Sequence, residues 1–120
     1  MAQILVIDDE RSIVDLLRTI LVSLGHEVKG AYDGQEGIEV FGNGSEFDVV
    51  LTDIRMPQAD GNQVAEYIRN SVKSHIPIVA ISGYSKEIDE SLFDFLIWKP
   101  FRLEAIVSLM EKLKREHRIC

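Results

Sequence analysis

Residues suited to phosphate and metal chemistry stand where short apolar runs of this chain end. They comprise three carboxylates, a hydroxyl and an ammonium: Asp8, Asp9, Asp53, Ser82 and Lys99. Carboxylate oxygens bind hard cations such as Mg²⁺, and a carboxylate can also attack phosphorus to form an aspartyl phosphate. Phosphoryl transfer depends mainly on positioning and charge neutralisation, which a hydroxyl and an ammonium can supply. These residue types therefore indicate metal-assisted phosphoryl chemistry if the fold brings them together.

The apolar runs themselves predict the strands of a parallel sheet. They cover residues 4–7, 49–52, 78–81 and 95–98. Short continuous apolar runs between helical stretches are typical of strands buried on both faces. Residues 27–31 are more polar and predict a weaker strand nearer an edge. Ligands of such sheets bind beyond the carboxyl ends of the strands, where the polar residues stand.

Helical patterns separate these strands. One-faced apolar stripes predict a first, second, third and last helix over residues 13–24, 38–41, 64–72 and 103–113. Asp33 and Glu36 have the spacing of a capping box at the start of the second helix. The interval before the last strand leaves room only for a short fourth helix, over residues 86–92.

The alternation of strands and helices predicts a doubly wound α/β fold, a flavodoxin-like three-layer sandwich. The common five-strand order 2-1-3-4-5 fits the number of strands, in one domain over residues 1–120. That order places the first and third strands side by side and so brings Asp8, Asp9 and Asp53 together. Carboxylates so close repel each other, so either one is protonated or a cation neutralises them. Oxygen ligands with room for water and phosphate favour Mg²⁺.

The overall composition argues against several other functions. The formal net charge of −7 disfavours direct binding of nucleic acid, which needs a clustered basic surface. No apolar stretch approaches the length of a membrane span, so no membrane partner is expected. The single cysteine, Cys120, cannot form an intramolecular disulfide and fits a reducing, cytoplasmic location. The three histidines are far apart and lack metal-ligand spacing.

Five short motifs resemble the receiver domain of the two-component response regulators, over essentially the whole chain. They are Ile7-Asp8-Asp9-Glu10, Thr52-Asp53-Ile54-Arg55-Met56-Pro57, Asp60-Gly61, Ser82-Gly83 and Lys99-Pro100-Phe101. The resemblance implies that Asp53 accepts a phosphoryl group from a phosphohistidine on a histidine kinase or a phosphotransfer protein. The chain would then act as a switch on an output domain or target protein, with no enzymatic activity beyond its own phosphorylation and dephosphorylation. A phosphorylation-dependent homodimer is compatible with the family.

The resemblance also assigns roles within the site. It implies that the groups holding Mg²⁺ are Asp8, Asp9, Asp53 and the Arg55 backbone carbonyl. The predicted phosphate contacts come from Ile54, Ser82, Gly83 and Lys99, and the Gly83 amide can approach a phosphate closely because no side chain obstructs it. Ser82 would be the hydroxyl that moves toward the phosphoryl group, and Lys99 would pair with that group. A cis peptide bond between Lys99 and Pro100 is expected from the family, and proline permits it.

Two departures from the family pattern concern the switch. An aromatic residue usually stands where this chain has Leu96, and Phe95 lies on the opposite face of the strand. Trp98 shares the face of Leu96, where we favour a packing role over a substitute for the missing ring. The second departure is the short fourth helix. It bears on the surface that family members usually present to their output partner.

Two large side chains are expected to slow the loss of the phosphoryl group. By the resemblance, Arg55 and Tyr84 flank the path of the water that attacks phosphorus opposite Asp53. Both side chains can cover the phosphoryl group, and neither is a good base at neutral pH. Because such attack depends on positioning, an excluded or misplaced water slows hydrolysis. The alternative is that both side chains point to solvent and have no effect.

Three other functions stand as alternatives, each with a feature against it. A hydrolase of the haloacid dehalogenase type also uses an aspartate nucleophile with Mg²⁺, but it carries a second aspartate where this chain has Arg55. A pseudo-receiver that acts by protein contact alone would not need an intact Asp53, Lys99 and acidic pair. A nucleotide-binding domain carries its glycine-rich turn after a strand, whereas Gly42-Asn43-Gly44 precedes one.

Overall fold

The computed structural model describes residues 1–44, 46–83 and 85–119, with Ser85 described by its backbone only. In these residues five strands alternate with four α-helices and two 3₁₀ helices. The strands are β1 (Gln3–Ile7), β2 (Glu27–Ala31), β3 (Val49–Asp53), β4 (Ile78–Ser82) and β5 (Phe95–Trp98). The helices are α1 (Arg11–Ser23), α2 (Gly34–Gly42), α3 (Gly61–Arg69) and α4 (Leu103–His117), and the 3₁₀ helices are Ser85–Glu87 and Glu90–Leu92.

The strands form one parallel sheet in the order β2-β1-β3-β4-β5, as predicted. In the ladder, Ile7 lies opposite Thr52, Asp53 opposite Ile81, and Ser82 opposite Trp98. The carboxyl ends of the three central strands therefore lie nearly level. Every residue of β3 and β4 is buried, because helices cover both faces there. β2 is an edge strand, which agrees with its more polar sequence.

Two apolar layers hold the sheet between its helices. Alternate residues of β1 divide between them: Ile4 and Val6 contact the layer with α1 and α4, whereas Leu5 and Ile7 contact the layer with α2 and α3. This division follows from the opposite directions of successive side chains along a strand. None of the helices in the described part of the chain is long and apolar enough to span a bilayer.

The prediction that all four apolar runs are buried on both faces is wrong for β5. Its residues are only partly buried, and Trp98 is 49% exposed. The reason is that β5 pairs with β4 alone and so forms the second edge of the sheet. The short segment before it leaves more of one face uncovered than a full helix would.

Side-chain caps set where α2 and α3 begin. The Asp33 carboxylate accepts a hydrogen bond from the Glu36 backbone N–H at 2.7 Å, as the capping-box spacing predicts. The returning bond of the predicted box is absent, because the Glu36 carboxylate accepts from the Tyr32 N–H instead. A complete capping box stands at α3, between Asp60 and Gln63. Sequence reasoning did not assign that one.

The third helix is shorter than its predicted stripe over 64–72, because α3 ends at Arg69. The Ile68 carbonyl accepts from both the N–H and the hydroxyl of Ser71, and this turn stops the helix. Val72 then lies outside the helix and is 97% exposed. The helix was predicted too long because the spacing of apolar residues continues to Val72, beyond the turn at Ser71.

The predicted fourth helix over 86–92 is also wrong, since two 3₁₀ helices occupy this interval. The Asn62 side chain donates to the Glu87 carbonyl and accepts from the Asp89 N–H, so groups needed for an α-helical ladder are bonded elsewhere. The Asp89 carboxylate in turn accepts from the Ser91 N–H and opens a new turn. The chain between β4 and β5, residues 83–94, is called the connecting segment below.

Candidate functional site

The three predicted carboxylates meet at the carboxyl ends of β1 and β3. One oxygen from each of Asp8, Asp9 and Asp53 lies within 4.8 Å of the others. Asp8 is fully buried, Asp53 is 7% exposed, and Asp9 faces solvent. They come together because β1 and β3 are neighbours, as the predicted strand order requires.

Lys99 reaches this cluster from the end of β5. Its ammonium nitrogen lies 2.8 Å from Asp8 Oδ2 and 3.3 Å from Asp53 Oδ2. It also donates to Glu10 Oε1 at 3.3 Å, a contact to which sequence reasoning assigned no role. The backbone N–H of Lys99 donates to the Ser82 carbonyl, and the peptide bond to Pro100 is cis, as expected. In the sequence, the feature that could have indicated a role for Glu10 in the site is its position directly after Asp8 and Asp9.

Backbone N–H groups fix the orientation of the two buried carboxylates. Asp53 Oδ1 accepts from the Ile54 N–H at 2.8 Å, and Asp8 Oδ1 accepts from the Glu10 N–H at 2.9 Å. The second oxygen of each carboxylate is thereby turned toward Lys99. Asp8 Oδ2 is buried and has an ion pair with Lys99, without a well-directed hydrogen bond among the described residues. The buried oxygens form an anionic site, and among the described residues the ammonium of Lys99 is the cation in contact with it.

Burial and mutual repulsion make this site electrostatically strained. Burial, and then the charge of Asp8, raise the pKa of Asp53 to about 6, against the opposing effect of Lys99. Burial likewise raises the pKa of Asp8 above its ordinary value of 3.8. Burial alone would lower the pKa of Lys99, but its contacts with Asp8, Asp53 and Glu10 outweigh that and raise it to about 12. The site favours an added cation or a shared proton.

Gly61 allows α3 to begin directly beside Asp53. Its N–H donates to the Ile54 carbonyl at 2.8 Å. A Cβ at this position would lie 2.2 Å from the Asp53 carbonyl oxygen, so any side chain would displace the backbone under the site. The Asp60-Gly61 motif therefore combines a helix cap with a close approach of the helix to the strand.

Ser82 and Gly83 lie at the end of β4, next to the carboxylates. Ser82 is 2% exposed and stands one residue beyond the partner of Asp53 in the ladder. Gly83 is exposed, and the nearest atom to a Cβ there would be the Lys99 carbonyl oxygen at 3.9 Å. Both residues therefore lie at the same edge of the sheet as Asp53, and their contacts with phosphate stay a prediction.

At the mouth of the site, Arg55 is held by a residue of the connecting segment. The Arg55 guanidinium forms an ion pair with Glu87, with Nε donating to Oε2 at 3.0 Å. That hydrogen bond lowers the pKa of Glu87. Tyr84, the other predicted shielding residue, lies outside the described residues. Sequence reasoning did not identify Glu87 or its neighbour Asn62, because neither belongs to a motif.

Leu96, which stands where the family usually has an aromatic residue, faces the connecting segment. Leu96 lines a small cavity of about 120 Å³ together with Ala80, Ile88 and Phe93. Phe95 packs on the other side of the sheet, as predicted. Trp98 is 49% exposed, so it packs only in part.

A five-stranded parallel sheet between helices, with an acidic cluster and a lysine at its carboxyl edge, defines a doubly wound α/β protein. The sequence profile of the response regulator receiver domain matches residues 4–111, and the chain belongs to this family. The family is one of signalling switches in two-component systems. Its members interact with histidine kinases or phosphotransfer proteins and with output domains.

Solved receiver structures are similar over nearly the whole chain. The response regulator TrrA of Thermotoga maritima, in a complex with Mg²⁺ and beryllofluoride, is 32% identical, with a TM-score of 0.84 over 94% of this chain and 99% of its own. The chemotaxis protein CheY4 of Vibrio cholerae is 25% identical, with a TM-score of 0.85 over 93% and 98%. A CheY-like receiver domain of Methanospirillum hungatei is 25% identical, with a TM-score of 0.85 over 98% of both chains.

Proposed function

We propose that Asp53 accepts a phosphoryl group from a phosphohistidine of a histidine kinase or phosphotransfer protein, and that phospho-Asp53 changes the conformation read by an output domain or target. The observation that carries this proposal is the contact of Lys99 Nζ with both Asp8 and Asp53 inside a cluster of three carboxylates. Such a cluster combines a nucleophile, a cation site and a counter-charge for phosphate.

Asp53 is the best nucleophile of the three aspartates. Its Oδ1 is held by the Ile54 N–H, and its Oδ2 faces Lys99 at the edge of the buried region. Asp8 is fully buried, and Asp9 makes no ion pair with Lys99 in the described residues. In the transfer, an Asp53 oxygen forms a bond to phosphorus, the phosphorus–nitrogen bond of the donor breaks, and the leaving imidazole keeps the electron pair.

The donor set fits Mg²⁺. The ligands would be oxygens of Asp8, Asp9 and Asp53 with the Arg55 backbone carbonyl, all of the hard type that this ion prefers. The buried Asp8 Oδ2 supports the same interpretation, because an added cation would relieve its repulsion with Asp53. When bound, Mg²⁺ would neutralise charge on the carboxylates and the phosphoryl oxygens. TrrA, which resembles this chain, was crystallised with that ion and a phosphoryl mimic.

The chain's own residues would then stabilise the phosphorylated state. Lys99 can exchange its carboxylate contacts for phosphoryl oxygens, and the Ile54 and Gly83 N–H groups can donate to them. Ser82 can donate its hydroxyl from the neighbouring strand. Dephosphorylation would need a water opposite Asp53, on the path that Arg55 and Tyr84 flank. We also infer a cytoplasmic location, since the single cysteine fits a reducing compartment.

Phosphorylation with a small donor tests the proposal. Wild type should take up one phosphoryl group from acetyl phosphate with Mg²⁺, and Asp53→Asn should take up none, as measured by intact-protein mass spectrometry. Asp15→Asn, a change of an exposed carboxylate on α1, is the matched control and should behave like wild type. Uptake of one phosphoryl group by Asp53→Asn would refute the assignment.

A further inference from the structure

The connecting segment is attached to α3 at two levels. At the upper level, near the mouth of the site, Asn62 Nδ2 donates to the Glu87 carbonyl at 2.5 Å and Oδ1 accepts from the Asp89 N–H at 2.9 Å. Arg55 adds its ion pair with the Glu87 side chain. We call this group of four residues, Arg55, Asn62, Glu87 and Asp89, the clasp.

The lower attachment is made by Arg69, at the other end of α3. Its guanidinium donates to the Leu92 carbonyl at 3.1 Å and forms an ion pair with Asp94 at 2.8 Å. It also donates to the Ser74 and Ile76 carbonyls. Asp94 in turn accepts a hydrogen bond from the N–H of Ile78, the first residue of β4, so this attachment is joined directly to the sheet.

The two attachments differ in strength. The side chains of Arg69 and Asp94 are 22% and 31% exposed, whereas those of Arg55 and Glu87 are 62% and 40% exposed. Exposed ion pairs contribute little, so the clasp depends mainly on the two hydrogen bonds of Asn62. The segment is therefore firmly held at its lower end and lightly held at its upper end, the end that follows Ser82.

We propose that Asn62 is a positioning residue of the switch: the clasp holds the connecting segment in the resting conformation and opens when Ser82 moves toward a phosphoryl group on Asp53. This inference rests on the proposed function. Asn62 is bonded to the backbone only five to seven residues beyond Ser82, so a displacement of Ser82 is transmitted to these bonds. Arg69 acts as the fixed end about which the segment moves.

A clasp that exists only in the resting state opposes activation. Removing it should raise the apparent affinity for a phosphoryl mimic, because less free energy is spent in reaching the binding-competent state. Two neutral hydrogen bonds make a modest net contribution, so Asn62→Ala should bind beryllofluoride about three- to tenfold more tightly at saturating Mg²⁺. Titration calorimetry of the full chain measures this affinity.

Three further variants separate positioning from simple loss of stability. Asn62→Asp keeps an acceptor for the Asp89 N–H but loses the donor to the Glu87 carbonyl, and an acidic residue suits the first turn of a helix. It should bind more tightly than wild type without a lower melting temperature. Gln63→Ala removes the capping box at the same helix end without touching the clasp. It should lower the melting temperature and leave the affinity unchanged. In a Ser82→Ala background, Asn62→Ala should have no effect on the affinity.

Each outcome of the titration has a distinct meaning. Tighter binding by both Asn62 variants, lost in the Ser82→Ala background, supports the clasp. Unchanged or weaker binding by Asn62→Ala, while wild type binds, overturns the clasp and leaves the proposed function intact. Absence of any Mg²⁺-dependent binding by wild type would overturn the proposed function and the clasp with it.

Discussion

The centre of the sheet and the connecting segment hold their functional groups in different ways. At the centre, Asp8 and Asp53 extend from strands with buried neighbours on both faces, and backbone N–H groups fix their carboxylates. In the connecting segment, two short 3₁₀ helices are attached to α3 through the half-buried side chains of Asn62 and Arg69. The centre is suited to chemistry that needs fixed geometry, and the segment to movement at low free-energy cost. Ser82 stands at the junction between the two.

The centre should therefore give the largest effects. Asp9→Ala removes one of the three carboxylates and should weaken Mg²⁺ binding about ten- to a hundredfold and slow phosphorylation by acetyl phosphate. The fluorescence of Trp98, the chain's only tryptophan, offers a Mg²⁺ titration at the adjacent sheet edge. An Asp9→Ala protein with wild-type Mg²⁺ affinity would show that the cluster is not the metal site.

A second effect of the centre is on stability and its pH dependence. The pKa of Asp53 is about 6 in the folded protein against an ordinary value of 3.8, so the folded state binds this proton more tightly. The contribution of Asp53 to the free energy of unfolding therefore falls as the pH rises from about 4 to about 6 and is then level. Without Mg²⁺, Asp53→Asn should be more stable than wild type by about 1–3 kcal/mol at neutral pH.

Urea unfolding at several pH values measures this difference. It should shrink toward zero near pH 4, where the Asp53 carboxylate is protonated in wild type. Asp15→Asn, which replaces an exposed carboxylate, is the control, and its difference in stability from wild type should not follow this pattern. A variant Asp53→Asn that is no more stable than wild type at neutral pH would mean that the carboxylates are already neutralised in the resting protein.

The mouth of the site should give the smallest effect. If Arg55 and Tyr84 cover the phosphoryl group, the double variant Arg55→Asn, Tyr84→Ala should shorten the half-life of phospho-Asp53 several-fold, because water gains access to phosphorus. The half-life is followed by the decay of the phosphorylated mass after removal of the donor. A half-life that is unchanged or longer would mean that these side chains do not shield the site.

The sequence was sufficient to predict the strands, their order and the meeting of the three carboxylates. The strands follow from the local hydrophobic pattern, and their order follows from the rules that govern connections in α/β folds. Two helix predictions were wrong: the extension of the third helix to Val72, and a fourth helix over residues 86–92. There, Ser71 and Asn62 bind backbone groups that a helix would use, and such side-chain bonds leave no periodic signal.

Contacts that depend on individual side chains rather than on the strand order were also not predictable. Glu10 and Lys99 are far apart in sequence, and only the packed sheet brings their side chains to 3.3 Å. The partial exposure of β5 follows from its edge position and from the short segment before it, not from its own apolar residues.

The most direct test of the account is the response of the backbone to a phosphoryl mimic. Hydrogen bonds to charged groups contribute about 1.5–3 kcal/mol each, so two from Ser82 and Lys99 approach the ~5.5 kcal/mol that inverts a 1:99 population. Beryllofluoride with Mg²⁺ should therefore shift the amide resonances of residues 82–99 far more in wild type than in Ser82→Ala. Equal shifts in the two proteins would contradict the coupling of Asp53 to the connecting segment.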